Sequence, residues 1–184
     1  MSERELFDLY KKEIYKTCYY MLQNQADAED VCQEVFISAF KHDWRRVEFV
    51  KTWLLRIAVN QCMNHLKKQS RAREKIAALF HSARQDTHRA AESIVMDQVG
   101  WQECVDLLHL VPVKMRSALL LRYMHDYSLN EVAEILDIPV GTVKSRLNKG
   151  LALLRNRLEH TGMYKNGRDL HGQSDSAVIP YSRT

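Results

Sequence analysis

The chain has 184 residues, 46% hydrophobic and 27% charged, with six glycines, three prolines and a formal net charge of +4. That composition points to a globular, mostly helical chain rather than a disordered or turn-rich one, and the length suits one domain or two small ones, of which two are favoured. Cys18, Cys32, Cys62 and Cys104 stand apart among apolar neighbours with no C-x-x-C pair, so buried reduced thiols are expected rather than a zinc site or disulfide framework.

No charged segment followed by a long apolar core opens the chain, and no apolar run approaches membrane-spanning length, so a cytoplasmic protein is expected. The charge is unevenly spread. Residues 1–40 hold eight Asp or Glu against four Lys or Arg, and residues 41–75 hold ten Lys or Arg against three acids. An acidic and a basic surface on one region point to two different partners.

Glu3 to Leu22 predicts a packing helix with Leu6, Leu9, Tyr10, Ile14, Thr17, Cys18 and Met21 on one side. Asn24 to Ala26 breaks it, and Asp27, with Asp30 three residues on, is the expected cap of the next helix. In DAEDVCQEVFISAF, Ala28, Val31, Cys32, Val35, Phe36 and Ala39 form the core side, while Asp27, Asp30, Gln33, Glu34 and Ser38 point away. Acids suit a helix N-terminus, but this face continues to Glu34 and leaves room for a basic protein surface.

The connection Lys41 to Glu48 places Trp44 among basic residues, and a third helix starts near Phe49 or Val50. Its apolar side is Leu54, Ile57, Ala58, Cys62 and Leu66; Asn60, Asn64, Lys67, Lys68 and Arg71 line another side. Amides beside cations, with Trp44 and Phe49 flanking the loop, are the ingredients for holding single-stranded DNA: charges track phosphates, amides read bases and rings stack. Trp53, beside Leu54, reads as core.

Residues 69–96 form a polar, Ala-containing stretch without Gly or Pro, expected to be a partly helical interdomain linker. A second domain begins near Asp97, with Val99, Cys104, Leu107 and Leu108, and continues past Pro112 into MRSALLLRY, an almost wholly apolar helix that must be buried. Ser128 and Glu131 then make a capping box, followed by the stripe Leu129, Val132, Ala133 and Leu136. Asp137-Ile138-Pro139 stops that helix, and Pro139 suits the first turn of a new one. The new helix is expected to bury Val143, Leu147, Leu151, Leu154 and Leu158, leaving Thr142, Lys144, Ser145, Arg146, Asn148 and Lys149 outside. In a helix-turn-helix those side chains enter the major groove, where Arg, Lys and Asn read base edges and Ser or Thr hold phosphates. Its charge agrees: Lys144, Arg146, Lys149, Arg155 and Arg157 face only Glu159. Residues 161–184 lack the apolar content to bury much and predict a disordered tail.

The pieces DAEDVCQEVFISAF, TWLLRIAVN and YSLNEVAEILDIPVGTVKSRL, in this order and spacing, resemble a bacterial group 4, or extracytoplasmic function, RNA polymerase sigma factor. The likeness covers roughly residues 3–158; the last motif alone is shared with other helix-turn-helix regulators such as the LuxR type. It implies an all-α chain of two small helical domains: region 2 over 1–68, a linker over 69–96, region 4 over 97–160 and a tail over 161–184. By resemblance, Asp30, Gln33 and Glu34 dock on the β′ clamp helices of core RNA polymerase. Region 2 melts minus-ten promoter DNA and captures a flipped base of the single strand, a role that points to Asn60, Asn64, Lys67, Lys68, Trp44 and Phe49. Region 4 sits on the β flap and reads duplex minus-thirty-five DNA through Thr142, Lys144, Ser145, Arg146, Asn148 and Lys149. An anti-sigma factor is the further implied partner. The sequence departs from the family in three places: the loop Lys41 to Glu48 is shorter than typical, Asn64 stands where Asp is common, and Asp137 replaces the usual Gly of the turn.

No catalytic residue, metal or cofactor is expected, since paired carboxylates in a cleft-like setting, H-E-x-x-H, a phosphate-binding Gly loop and a nucleophile elbow are all missing. His65, His109 and His125 are scattered and read as surface or packing residues. The rival reading, a stand-alone helix-turn-helix regulator binding as a dimer, leaves the acidic helix and the amide-lysine helix unexplained.

Overall fold

A computed structural model describes residues 1–79, 107, 108 and 110–160; the expectations for 80–96, Val99, Cys104, His109 and the tail 161–184 fall outside the described residues. Within them the chain is all-helical: α1 (Glu3–Leu22), α2 (Gln25–Phe40), a short 3-10 turn (Trp44–Arg46), α3 (Val50–Leu79), α4 (Val113–Leu119) widening into a π turn (Leu120–Met124), α5 (Leu129–Leu136) and α6 (Val140–His160).

Local chemistry sets most of the boundaries. Ser2 and Glu5 form a capping box on α1, with the Glu5 N–H donating to Ser2 Oγ at 3.2 Å and the Ser2 N–H donating to Glu5 Oε2 at 2.7 Å. The cap of α2 is Asn24, whose Oδ1 accepts the Asp27 N–H at 3.0 Å, so the helix starts two residues before the expected Asp27 cap. Asp27 instead places Oδ2 3.4 Å from Nε2 of His65 on α3. The box at Ser128 and Glu131 forms as expected. Asp137 ends α5 in the left-handed region at φ 53°, the conformation for which a glycine is usual and which Asp tolerates better than most residues. Helix α3 runs on to Leu79, so the first part of the expected linker is helix.

Helices α1, α2 and α3 pack around Leu6, Ile14, Cys18, Val31, Val35, Leu54, Leu55, Ala58 and Cys62. Cys18, Cys32 and Cys62 are free buried thiols. Leu9, expected on the core side, is exposed. The second unit stacks α6 on α4 with α5 alongside. Its seam on α6 is Val143, Leu147, Gly150 and Leu154, whereas Leu151, expected inside, is 37% exposed. At Gly150 a Cβ would sit 2.9 Å from Leu119 Cδ1, so the glycine lets α6 lie close to α4 without displacing that side chain.

The two units also dock on each other, and their apolar residues form one continuous core. The Arg116 guanidinium, on α4, donates to the Met21 carbonyl at the end of α1 at 2.6 Å and to the Val111 carbonyl at 3.1 Å. A cation at the C-terminal carbonyls of a helix also meets the negative end of its dipole. Thr52 on α3 and the Tyr127 hydroxyl are 3.2 Å apart.

Candidate nucleic-acid interface

Around α6, with about 100° between successive residues, Thr142, Ser145, Arg146 and Lys149 fall on one stripe about 120° round from the seam, and Lys144 and Asn148 lie together about 110° round on the other side. Ser145, Lys149, Lys144 and Asn148 are exposed; Thr142 and Arg146 are half-buried. The six residues therefore divide between the two sides of the face turned away from the seam, with Ser145, Asn148 and Lys149 farthest from it. Gly141 is exposed, with open space where a Cβ would stand.

The second candidate surface lies on α3, a 30-residue helix about 45 Å long. Asn60, Asn64, Lys67 and Lys68 are all exposed. Helical spacing puts Trp53, Arg56, Asn60, Asn64, Lys67 and Arg71 within about 40° of one line, a stripe about 27 Å long, with Lys68 at its edge. Arg56 belongs to this stripe although the sequence reading left it out; it sits four residues before Asn60, and extending that spacing towards the N-terminus would have found it.

The two loop aromatics part company. Phe49 is 67% exposed and can offer a ring face. Trp44 is only 3% exposed, with the Arg45 guanidinium 4.6 Å above its ring, so its proposed place as a base-stacking platform is corrected here to a buried anchor of the 3-10 turn. An indole alone among basic residues looks available in sequence, but the turn Trp44–Arg46 folds it inward. Trp53 is partly buried against the core, as expected.

On α2, Asp30, Gln33 and Glu34 are exposed together, and Ile37, 55% exposed, extends the same face by one turn. An apolar residue in an acidic patch is a common element of a protein-binding surface, and it was not singled out from sequence. Ser38, expected to point away, accepts from Gln61 Nε2 at 2.9 Å and ties α2 to α3.

Behind these surfaces lies a charged cluster. Oε1 of Glu13 is 2.7 Å from Lys51 Nζ and 3.0 Å from Nδ1 of His125, whose side chain is 3% exposed and whose Nε2 is 2.9 Å from Thr17 Oγ1. In the neutral ring, Nδ1–H donates to Glu13 and Nε2 accepts the Thr17 hydroxyl. In the cation both nitrogens donate, and Thr17 keeps its hydrogen on the Glu13 carbonyl, 2.9 Å away. Both states are bonded, so burial decides: it lowers the pKa of His125 below its ordinary value, the Glu13 contact opposing and the Lys51 charge adding to the shift. His125 is thus a packing residue, and it joins the two units. Among the described residues no group of three His, Cys, Asp or Glu could hold a metal, and no helix is long and apolar enough to cross a membrane.

A capped helix-turn-helix with a basic second helix, beside a three-helix unit carrying a polar stripe, defines a helical nucleic-acid-binding protein. Residues 6–72 match the sigma-70 region 2 family and residues 102–154 match sigma-70 region 4. The extracytoplasmic function sigma factor SigW of Bacillus subtilis is 36% identical over 168 residues, 84% of this chain and 87% of its own length. The sigma-E factor of Haemophilus influenzae is 32% identical over 142 residues, 72% of this chain and 75% of its own. Among solved structures, the sigma factor RpoE in complex with the anti-sigma factor NepR, from Bartonella quintana, shares the fold with a TM-score of 0.66 at 20% identity, covering 85% of this chain and 96% of that one. CnrH in complex with the cytosolic domain of CnrY gives a TM-score of 0.58 at 18% identity, covering 86% and 88%. The chain belongs to the extracytoplasmic function RNA polymerase sigma factors of the sigma-70 family, and it is an alternative sigma factor that directs promoter-specific transcription.

Proposed function

We propose that this chain is a group 4 sigma factor that holds promoter DNA at two points and does no bond chemistry of its own. The stripe Thr142, Ser145, Arg146 and Lys149, flanked by Lys144 and Asn148, reads the duplex minus-thirty-five element. Asn60, Asn64, Lys67 and Lys68, with Phe49 at the head of the helix, hold the melted minus-ten strand. Unpairing costs a few kcal/mol per flipped base, offset by stacking, pocket contacts and phosphate pairing. Asp30, Gln33 and Glu34 dock on the β′ clamp helices of core polymerase, and the second unit sits on the β flap. An anti-sigma factor holds the protein inactive, and the site of action is the cytoplasm, where polymerase and promoter are.

The observation that carries this reading is the presence, on one short chain, of two separate stripes of DNA-compatible side chains, most of them exposed, and a third, acidic face. A stand-alone regulator needs only the first. The test is to mix the protein with core polymerase and map transcript 5′ ends on genomic template: a defined new start site is expected, and none would refute the reading. Replacing Asp30 and Glu34 together by Ala should reduce core binding with helix content intact; unchanged holoenzyme assembly would contradict their role.

A further inference from the structure

Past Asn64 the α3 stripe changes its chemistry. Up to that residue it offers amides and, at its head, the exposed Phe49 ring; beyond it come Lys67, Lys68 and Arg71, with no further amide or ring on the same side. Lys75, four residues after Arg71, lies about 20° from Asn64 around the helix and continues the line. All four cations are exposed, and among the described residues none of them is in an ion pair.

Residues 70–76 are exposed on every side of the helix, so this end of α3 stands clear of the three-helix core. Its charge is not spread evenly. Arg73 lies about 160° round from both Arg71 and Lys75. Glu74, the one acid between Asn60 and Ile76, accepts from Ser70 Oγ at 3.0 Å, and Ser70 lies on the flank away from Arg71 and Lys75. The carboxylate is thus drawn off the cationic line. A merely solvated helix face pairs acids with bases at i, i+4, whereas this line carries cations alone.

A single strand is held by rings and amides together with cations; cations by themselves fix phosphates without reading bases. We propose that promoter DNA passes from single strand to duplex between Lys68 and Arg71, and that Arg71 and Lys75 hold phosphates of the paired DNA beside the melted segment, without sequence preference. They stand about 6 Å apart along the axis, close to two phosphate steps of one strand at about 3.4 Å each. The helix that extends past the three-helix core is then a second kind of DNA contact on α3. The inference rests on the single-strand role given above to Asn60 and Asn64.

Core polymerase carrying the full chain is titrated against two fluorescein-labelled probes from a promoter mapped by its transcript start. One is the melted strand of the minus-ten segment alone; the other is a fork, the same strand extended upstream into about one turn of duplex, both read by anisotropy between about 50 and 200 mM salt. Arg71→Ala with Lys75→Ala should weaken the fork roughly tenfold at the lower salt and reduce its salt slope by about 2, with the strand alone held within about twofold. Arg73→Ala, on the other side of the helix, should leave both probes within about twofold. No loss on the fork, or an equal loss on both probes, would overturn the duplex contact, and so would an Arg73→Ala loss as large as that of the pair. Asn60→Ala with Asn64→Ala tests the reading beneath it: weaker binding of the strand alone supports it. Unchanged binding would remove the single-strand role of α3, and with it the boundary placed at Lys68. Circular dichroism of each variant establishes that helix content is retained.

Discussion

Replacing Arg116 with methionine removes a charged group that is 9% exposed while keeping most of its volume. Burial pulls its pKa from the ordinary 12.5 down to about 10, which sets about 3 kcal/mol against the charged form. Opposing this are two hydrogen bonds from a cation to the Met21 and Val111 carbonyls, each contributing about 1.5–3 kcal/mol. Methionine avoids the cost of burying a charge but leaves both carbonyls without that donor, so the net loss should be about 1–3 kcal/mol. Alanine adds a cavity where the stem lay, raising the loss to about 3–5 kcal/mol. In urea titrations followed by circular dichroism, the methionine variant should lower the midpoint by about 1 M and the alanine variant by more. A methionine midpoint equal to or above that of the wild type would show that desolvation outweighs the bonds, and the account of the junction would be wrong.

Arg146→Ala should weaken binding to a minus-thirty-five duplex by about 1–3 kcal/mol if the guanidinium reads a base edge, and by less if it holds a phosphate; an unchanged footprint on the cognate promoter would remove it from the interface. Asp137→Val places a β-branched residue at φ 53° and should cost about 1–2 kcal/mol in the same urea assay, while Asp137→Gly should not destabilise; equal midpoints for all three would contradict the strain assigned to the turn. His125, faced by Glu13, Lys51, Thr17 and the Tyr127 ring, binds fewer protons folded than unfolded because its pKa is lowered from 6.5. Its contribution is therefore full above about pH 6.5 and is lost as the pH falls below that value. Between about pH 7 and 5.5 the wild type should lose stability that His125→Gln does not, and parallel pH profiles would refute the assignment.

Chain-local signals carried most of the secondary structure. The capping box at Ser128 and Glu131, the stop at Asp137 to Pro139 and the outward set on the last helix were all readable, because each depends on residues within one or two turns of each other. The cap at Asn24 was missed because Asp27 has the same capping chemistry, and only backbone geometry separates them. Leu9 and Leu151 were misplaced for another reason: periodicity shows that a helix has an apolar side, but not how wide the neighbouring element is that covers it, and Trp44 was misplaced because nothing in a loop sequence shows which way a turn folds its ring.

By itself the sequence determined an all-helical chain with a DNA-compatible second helix in its hairpin and an amide-lysine stripe upstream, since these follow from side-chain chemistry repeated at helical spacing. Only the tertiary structure decided that the two units share one core, that Glu13 on α1 binds both Lys51 and His125, and that α5 lies across the head of α3. Those contacts join residues tens of positions apart, and which apolar patch meets which is fixed by complementary packing and hydrogen bonding across the whole surface, a property no local pattern encodes.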